Sequence, residues 1–553
     1  MVRLAALPTV RWPLLALLSL SGFIIVLASS INHEIEFVPV VEFGLFSVLP
    51  STYYVGIGLM GLSLVLGLNS KNEACFFMQA LLLYLGIWGA RFLFTANPSI
   101  WDSYMHYFSS LRMVETGTTI GEGVFSYSAN YPGFFLLGAT IDLMAQPDVL
   151  ALLQYWPLFA VTLTTLSMYL FVRTYLSKVD GRIALPIILL GNVWLAYHYS
   201  PQSLGLAIGL LVFVFLEKKG FYWLILALAA FTYVTISHPT TGFFIMLALV
   251  GRQVLMLYRN RSTKGMRKEI SWPVIELGMI WAAWLVTGAR EYSVFLSDLI
   301  SSKLSYIFYV PEATGEAIVQ RTSGNLWTLG PLLRLAILGV LGLLVLVTIY
   351  LHYGRSRSRR RELPGALLAL SVLSIAIVPL DIFFLQGQLY DRGFLYFVLA
   401  GTILVSFVVL YRQTDLRKLA AILLSLAAVT ACSSLFYQDS LMTVSTQSRA
   451  MSDFIDERMS FDSWVVGGSY PDIVWKESNW TSFIRAQYYV VYNDTFDNWT
   501  GSHGSTGMIF DDVALLWMTQ WGQLELYDFY LNDARNQTKV YDNGACMMIY
   551  GGG

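Results

Sequence analysis

Apolar runs of roughly 16–25 residues alternate with short polar segments along most of this chain. A helix rises about 1.5 Å per residue, so about 20 apolar residues cross the ~30 Å hydrocarbon core of a bilayer. From the N-terminus such runs fall at 12–30, 51–68, 75–95, 149–173, 183–198, 201–216 and 221–237. They continue with a run ending near Tyr258, then 272–289, 331–352, 364–382, 394–411 and 419–437. The pattern predicts about 13 transmembrane helices. One polar interruption, Asn97 to Pro132, is too long for a simple turn. The segment after it, Tyr131 to Gln146, is apolar but short and runs into Pro147-Asp148.

Basic residues decide the orientation. Lys71, the group Arg173, Lys178 and Arg182, the Lys218-Lys219 pair, the cluster Arg259 to Lys268, the run Arg355 to Arg361, and Arg412, Arg417 and Lys418 all mark one side. Cytoplasmic loops carry such an excess. The N-terminus is therefore expected inside, with the Asn97 segment and the C-terminus outside. If Tyr131 to Gln146 crossed the bilayer, the loop holding Arg173, Lys178 and Arg182 would fall on the wrong side. A re-entrant or interfacial segment is expected instead. The first run could pass for a signal peptide, but its length and lack of a clear cleavage site predict a retained anchor. Residues 1–437 then form a multi-span domain with an exterior loop at 96–148, and 438–553 a C-terminal extracytoplasmic domain. That tail holds four N-x-[ST] sequons, at Asn479, Asn493, Asn498 and Asn536. Its segments WVVGG, QYYVVYN and CMMIYGGG read as strands, so a small α/β or β domain is expected there.

Composition agrees. The 553 residues are 56% hydrophobic and 15% aromatic, and only 13% are charged, about half the ~25% of soluble domains. The chain reads as an all-α polytopic membrane protein in the plasma or cell membrane. A net charge of −1, with basic clusters already explained by orientation, speaks against nucleic-acid binding. Cys75, Cys432 and Cys546 are scattered and offer no disulfide framework in the tail. No P-loop, GxGxxG, GxSxG or CxxC is present, and no repeat of 20–50 residues, so direct use of a nucleotide has no support.

The candidate chemistry lies in the long polar loop. Asp102 and His106 are four residues apart and share one face of a helix. A carboxylate near the bilayer centre costs about 2.5–3.5 kcal/mol unassisted, so Asp102 needs water or a cation, unless it is only an N-cap. Glu115 and Glu122 stand by as helpers. On the same side, His198 in YHYSPQS and His238 in ISHPTTG fall at helix ends; each could contact phosphate or sugar hydroxyls, or simply cap a helix. Arg392 sits at a span boundary, suited to hold a phosphate bidentately or to pair with Asp391. Arg290, Arg321 and Lys303 are further exterior cations. His106, His198 and His238 lack close ligand spacing such as HExxH, so no metal site is expected, although a divalent ion is compatible with the residue types.

An apolar span, then a loop with Asp102, His106 and Gly117, then Tyr131-Pro132-Gly133 re-entering the membrane, resembles the first exterior loop of the GT-C superfamily of multi-span glycosyltransferases. The next span, ending in Val172-Arg173-Thr174-Tyr175-Leu176, is similar to that family's second helix. The resemblance covers about residues 75–260, and archaeal-type members with a small C-terminal exterior domain share the style of ending KVYDNG and MIY. It implies a GT-C-like fold and inverting sugar transfer from a polyprenyl-phosphate donor to a glycan, lipid or protein acceptor outside the cytoplasm. Asp102 would act as general base, with His106, Glu122, Tyr131, His198, Gln202, His238 and Arg392 binding substrate. Two departures stand out. Ser103 follows Asp102 where many members have a second acid, and the tip around His198 and Gln202 offers no carboxylate. The rivals are a lipid-linked sugar flippase, which calls for mid-span charges and repeats, and a non-catalytic membrane scaffold, for which Asp102 would be dispensable.

Overall fold

In a computed structural model, the chain is described over residues 11–31, 33–35, 44–68, 70, 72–98, 100, 102–119, 126–260, 271–304, 329–354, 363–381, 389–406 and 416–434, and over short stretches from 444 onward. The body is helical. In chain order the helices are α1 (Trp12–Ser30), α2 (Ser51–Gly67), α3 (Glu73–Leu93), α4 (Asp102–Thr116), α5 (Ser126–Asn130), α6 (Gly133–Ala145), α7 (Val149–Tyr175), α8 (Lys178–Gly191) and α9 (Pro201–Leu216). They continue as α10 (Phe221–Ser237), α11 (Pro239–Asn260), α12 (Trp272–Thr287), α13 (Arg290–Leu304), α14 (Leu329–Gly354), α15 (Gly365–Leu380), α16 (Tyr390–Val405) and α17 (Leu416–Ser434).

A helix overlaps each expected span, yet among the described residues only five helices are long and apolar enough by themselves to cross a bilayer, or six if the bent pair α12–α13 counts as one. These helices make the chain a multi-pass membrane protein. Several others are shorter. A helix such as α9, at 16 residues, covers about 24 Å, less than the hydrocarbon thickness.

Two ends of the bundle are chemically distinct. At one end Glu73, at the start of α3, meets Arg182 of α8, which also donates to the Ser70 carbonyl. Arg173 of α7 lies 3.8 Å from the same carboxylate, and Tyr169 donates to it at 3.3 Å. Glu217 after α9 pairs with Arg252 of α11 at 3.1 Å on that end too. At the other end α3 terminates, and Gln154 near the start of α7 donates to the carbonyls of Phe92 and Thr95. The chain thus leaves α3 and enters α7 at the same level. The helices α4 to α6 lie in the chain between these two points.

Local sequence explains how that segment is folded. Gly117 closes α4 with a positive φ of 64°, the left-handed conformation that favours glycine after a helix. Gly133 lets α6 approach α10 closely, since a Cβ there would sit 2.3 Å from the Ser237 hydroxyl oxygen. Gly138 does the same toward Tyr199 and Ser110 of the neighbouring elements. Tyr107 of α4 donates to Asp142 of α6 at 2.5 Å, fixing the two helices side by side.

One expectation needs correction. The run 183–198 was expected to be a single helix, but α8 ends at Gly191 and residues 192–200 are irregular. Asn192 turns its side-chain amide to the Leu395 carbonyl of α16 at 3.0 Å. Beyond it, Tyr197 and Tyr199 are buried, the first against Trp88 and Tyr84, the second against Phe134 and Trp156. Tertiary packing of aromatic rings thus holds this apolar segment out of helix.

In the tail, β1 (Trp464–Val466), β2 (Thr506–Asp511), β3 (Thr538–Asp542) and β4 (Cys546–Gly551) form a sheet in the order β1-β2-β4-β3. β1 runs parallel to β2, and β4 is antiparallel to both of its neighbours. WVV and CMMIYG are strands as expected; QYYVVYN lies outside the described residues. The chain returns to the far end of α3 before the sheet, where the Val444 carbonyl accepts from Asn97 at 3.2 Å.

Candidate functional site

Four of the helices that begin at the end where α3 terminates carry the polar groups of the site in or beside their first turns. α4 begins with Asp102, α9 follows His198 and carries Gln202, α11 follows His238, and α16 carries Arg392 in its first turn. Helix N-termini expose unpaired N–H groups and the positive end of the helix dipole, an arrangement that favours anions.

Two imidazoles converge on one carboxylate oxygen. His106 Nε2 and His198 Nε2 each lie 3.1 Å from Asp102 Oδ2. Their rings are nearly parallel, with centroids 6.2 Å apart. Burial works to raise the Asp102 carboxyl, but the charge and hydrogen bonds of His106 and His198 outweigh it and hold the group well below the usual carboxylate range. Asp102 is therefore ionised at neutral pH, with about a third of its side chain (32%) open to solvent. His198 is pushed down by burial, against the pull of Asp102. The absence of a close ligand motif in the sequence does not carry over to space: Asp102, His106 and His198 each offer a ligand atom within 4.8 Å of the others. One carboxylate oxygen and two imidazole nitrogens suit a divalent transition ion, whose bonds of about 2.0–2.2 Å would need only a small contraction of the group.

His238 fills both roles open to it. Its Nδ1 accepts from the backbone N–H of Thr241 at 3.3 Å and pairs with the Thr241 hydroxyl at 2.8 Å, so it caps α11. That leaves the proton on Nε2. Burial and the nearby Arg392 charge push this imidazole down to about 3, so it is a neutral donor. Arg392 donates to Gln202 Oε1 at 3.5 Å, and among the described residues its buried Nε has no hydrogen-bond partner. Among the described residues it makes no ion pair with Asp391. The guanidinium therefore keeps donors available.

The other expected residues fall differently. Tyr131 is buried, 1% exposed, against Tyr127, and the two rings lie 5.8 Å apart. Glu115 is not beside Asp102: it pairs with Arg112 at 2.9 Å near the other end of α4, about 20 Å away along a helix. Glu122 and Arg321 lie outside the described residues, as does the side chain of Lys303, and Arg290 is exposed at the start of α13. Sequence reasoning passed over Tyr127. Its ring centroid is 6.5 Å from that of His106, and the charges of both Arg392 and Asp102 reach its hydroxyl. The only signal in the sequence was its place in YSANYPG.

The fold defines a class, a multi-pass helical membrane protein with a polar site at the ends of its helices. No protein-family model matches the chain, and no curated protein matches it. Among solved structures, the chain is similar to the archaeal oligosaccharyltransferase AglB from Archaeoglobus fulgidus, solved in complex with an inhibitory peptide and a dolichol-phosphate. Identity is 12%, coverage is 87% of this chain and 74% of that one, and the TM-score is 0.49. A likeness at this level assigns no activity.

Proposed function

We propose that the protein is a membrane glycosyltransferase that moves a sugar from a polyprenyl-phosphate donor to an acceptor at the extracytoplasmic face, with inversion. The supporting observation is the convergence of an ionised carboxylate flanked by two imidazoles with an arginine that retains open donors, all at helix N-termini on one side of an apolar bundle. Asp102 takes the proton of the acceptor as the acceptor atom bonds to the anomeric carbon. The bond from that carbon to the phosphate oxygen breaks, and its electron pair leaves on the lipid phosphate. Arg392, His238 Nε2–H and Gln202 supply positive charge and donors to that leaving anion. The lipid chain lies along the apolar helices, which is why a site at this depth suits a lipid-borne donor.

A second reading has a specific observation behind it. The three ligand atoms of Asp102, His106 and His198 would hold a divalent cation, and the carboxylate would then serve as ligand and not as base. Such an ion would supply Lewis-acid stabilisation of the leaving phosphate.

The test is Asp102→Asn in a deletion background, with expression and membrane insertion verified. Loss of the host's glycan or glycolipid product is expected. Unchanged profiles would sink both readings and favour a scaffold or flippase. Chelation followed by add-back of manganese, magnesium or zinc separates the two: a rate that survives chelation belongs to Asp102 as base.

A further inference from the structure

Tyr127, from the five-residue helix α5, stands beside His106 of the Asp102 cluster and within electrostatic reach of Arg392. It is half-buried, with His106 and Phe135 against it at centroid distances of 6.5 and 6.1 Å. Tyr131 backs it at 5.8 Å, and Tyr292 of α13 meets Tyr131 edge-on at 5.3 Å. Three tyrosines from two separate elements thus make one wall.

That wall depends on a specific fastening. Asn130, 4% exposed, accepts from the Tyr292 backbone N–H at 3.2 Å and donates to Glu291 at 3.4 Å. It ties α5 to the first turn of α13. The axis of α13 turns 84° from that of α12, so α13 lies across the end of the bundle and not along it. A helix placed that way needs an anchor, and Asn130 is the residue that provides one at the site.

We propose that Tyr127 is the platform on which the ring of the transferred sugar packs, and that Asn130 is its positioning residue, acting through Tyr292 and Tyr131. This rests on the glycosyl-transfer reading. A pyranose has an apolar face of C–H bonds, and an aromatic ring offers a flat, rigid apolar surface at small entropic cost. A ring beside the His106–Asp102 pair is placed to meet the sugar whose anomeric carbon the acceptor attacks. The contact is to the sugar alone, so its loss leaves recognition of the lipid phosphate intact.

Binding of two probes to the full-length protein in detergent tests this: farnesyl phosphate bearing mannose or glucose, and bare farnesyl phosphate. Tyr127→Ala should weaken the sugar-bearing probes by about ten-fold, the equivalent of about 1.4 kcal/mol, and leave the bare lipid phosphate within two-fold. Tyr127→Phe should retain both. Asn130→Ala should shift in the same direction as Tyr127→Ala, whereas a merely destabilised protein would lose both probes together. Equal loss of both probes in Tyr127→Ala, or no loss of either, overturns the proposal. The outcome is separable from the parent reading: if Asp102→Asn abolishes transfer while Tyr127→Ala binds normally, the transferase stands and the platform falls. If Asp102→Asn changes nothing, the transferase itself falls.

Discussion

His198 Nε2 sits 3.1 Å from Asp102 Oδ2, although the two residues are 96 positions apart in the chain. His106, one helical turn from Asp102, reaches the same oxygen at the same distance. The two imidazoles therefore act on one atom. Residues that act as a unit are not additive when removed. We expect His106→Ala and His198→Ala each to lower transfer by about 10–100-fold, and the double variant to lose scarcely more than the worse single. Initial rates in membranes of matched protein content measure this; losses that multiply would show two independent roles.

Arg392 donates to the neutral Gln202 and, among the described residues, makes no ion pair. A charge-assisted hydrogen bond to phosphate is worth roughly 1.5–3 kcal/mol. Arg392→Gln should therefore raise the donor KM by about 10–100-fold. Arg392→Lys should recover only part of it, because an ammonium lacks the planar fork. An unaltered donor KM with intact protein would assign the phosphate to another group.

Much of this site could be read in the sequence, and the unread part has physical causes. Asp102 and His106 were legible because helical spacing joins neighbours in the chain. His198, His238 and Arg392 were legible as residues at span ends, since hydropathy locates those ends and charge bias sorts them to one side. What could not be read is which of them touch. The contact of His198 with Asp102 depends on residues 192–200 leaving helix, and that is decided by Tyr197 and Tyr199 packing on α3, α6 and α7, not by local preference. The burial of Tyr131 against Tyr127 could not be read for the same reason: it is set by tertiary packing. The ligand set of Asp102, His106 and His198 escaped because it is assembled from two distant segments.

His238 predicts an acid limit on stability. Its imidazole is pushed down to about 3 in the folded protein, against about 6.5 when unfolded. Between these values the unfolded chain binds a proton that the folded one refuses, so stability falls as pH drops through that window. At pH 7 and above the group costs nothing. His238→Gln should therefore flatten the decline of the melting temperature between pH 7 and pH 5 in detergent, while lowering it somewhat at pH 7 through loss of the α11 cap. Parallel declines in variant and parent would assign the acid sensitivity elsewhere.

The cluster at the opposite end of the bundle should behave in the reverse manner, altering stability without touching chemistry. Arg182 is 6% exposed and its guanidinium is held by the Glu73 carboxylate and the Ser70 carbonyl, with the guanidinium carbon 5.7 Å from the centre of the Phe76 ring. Glu73→Ala removes the partner and leaves a buried cation, which costs about 3–5 kcal/mol where burial is complete. Glu73 keeps 19% side-chain exposure, so the lower part of that range applies. A clear drop in melting temperature is expected, with donor KM and the pH profile of the surviving protein unchanged, because this cluster joins the starts of α3 and α8 to the end of α7 while Asp102 lies beyond the far end of α3. Replacing both charges with apolar groups of similar size, as in Glu73→Leu with Arg182→Met, should recover much of the loss, since an apolar pair carries no desolvation penalty. A Glu73→Ala protein that melts normally but binds donor poorly would mean that the two ends of the bundle are coupled, and that the end holding Glu73 takes part in the reaction.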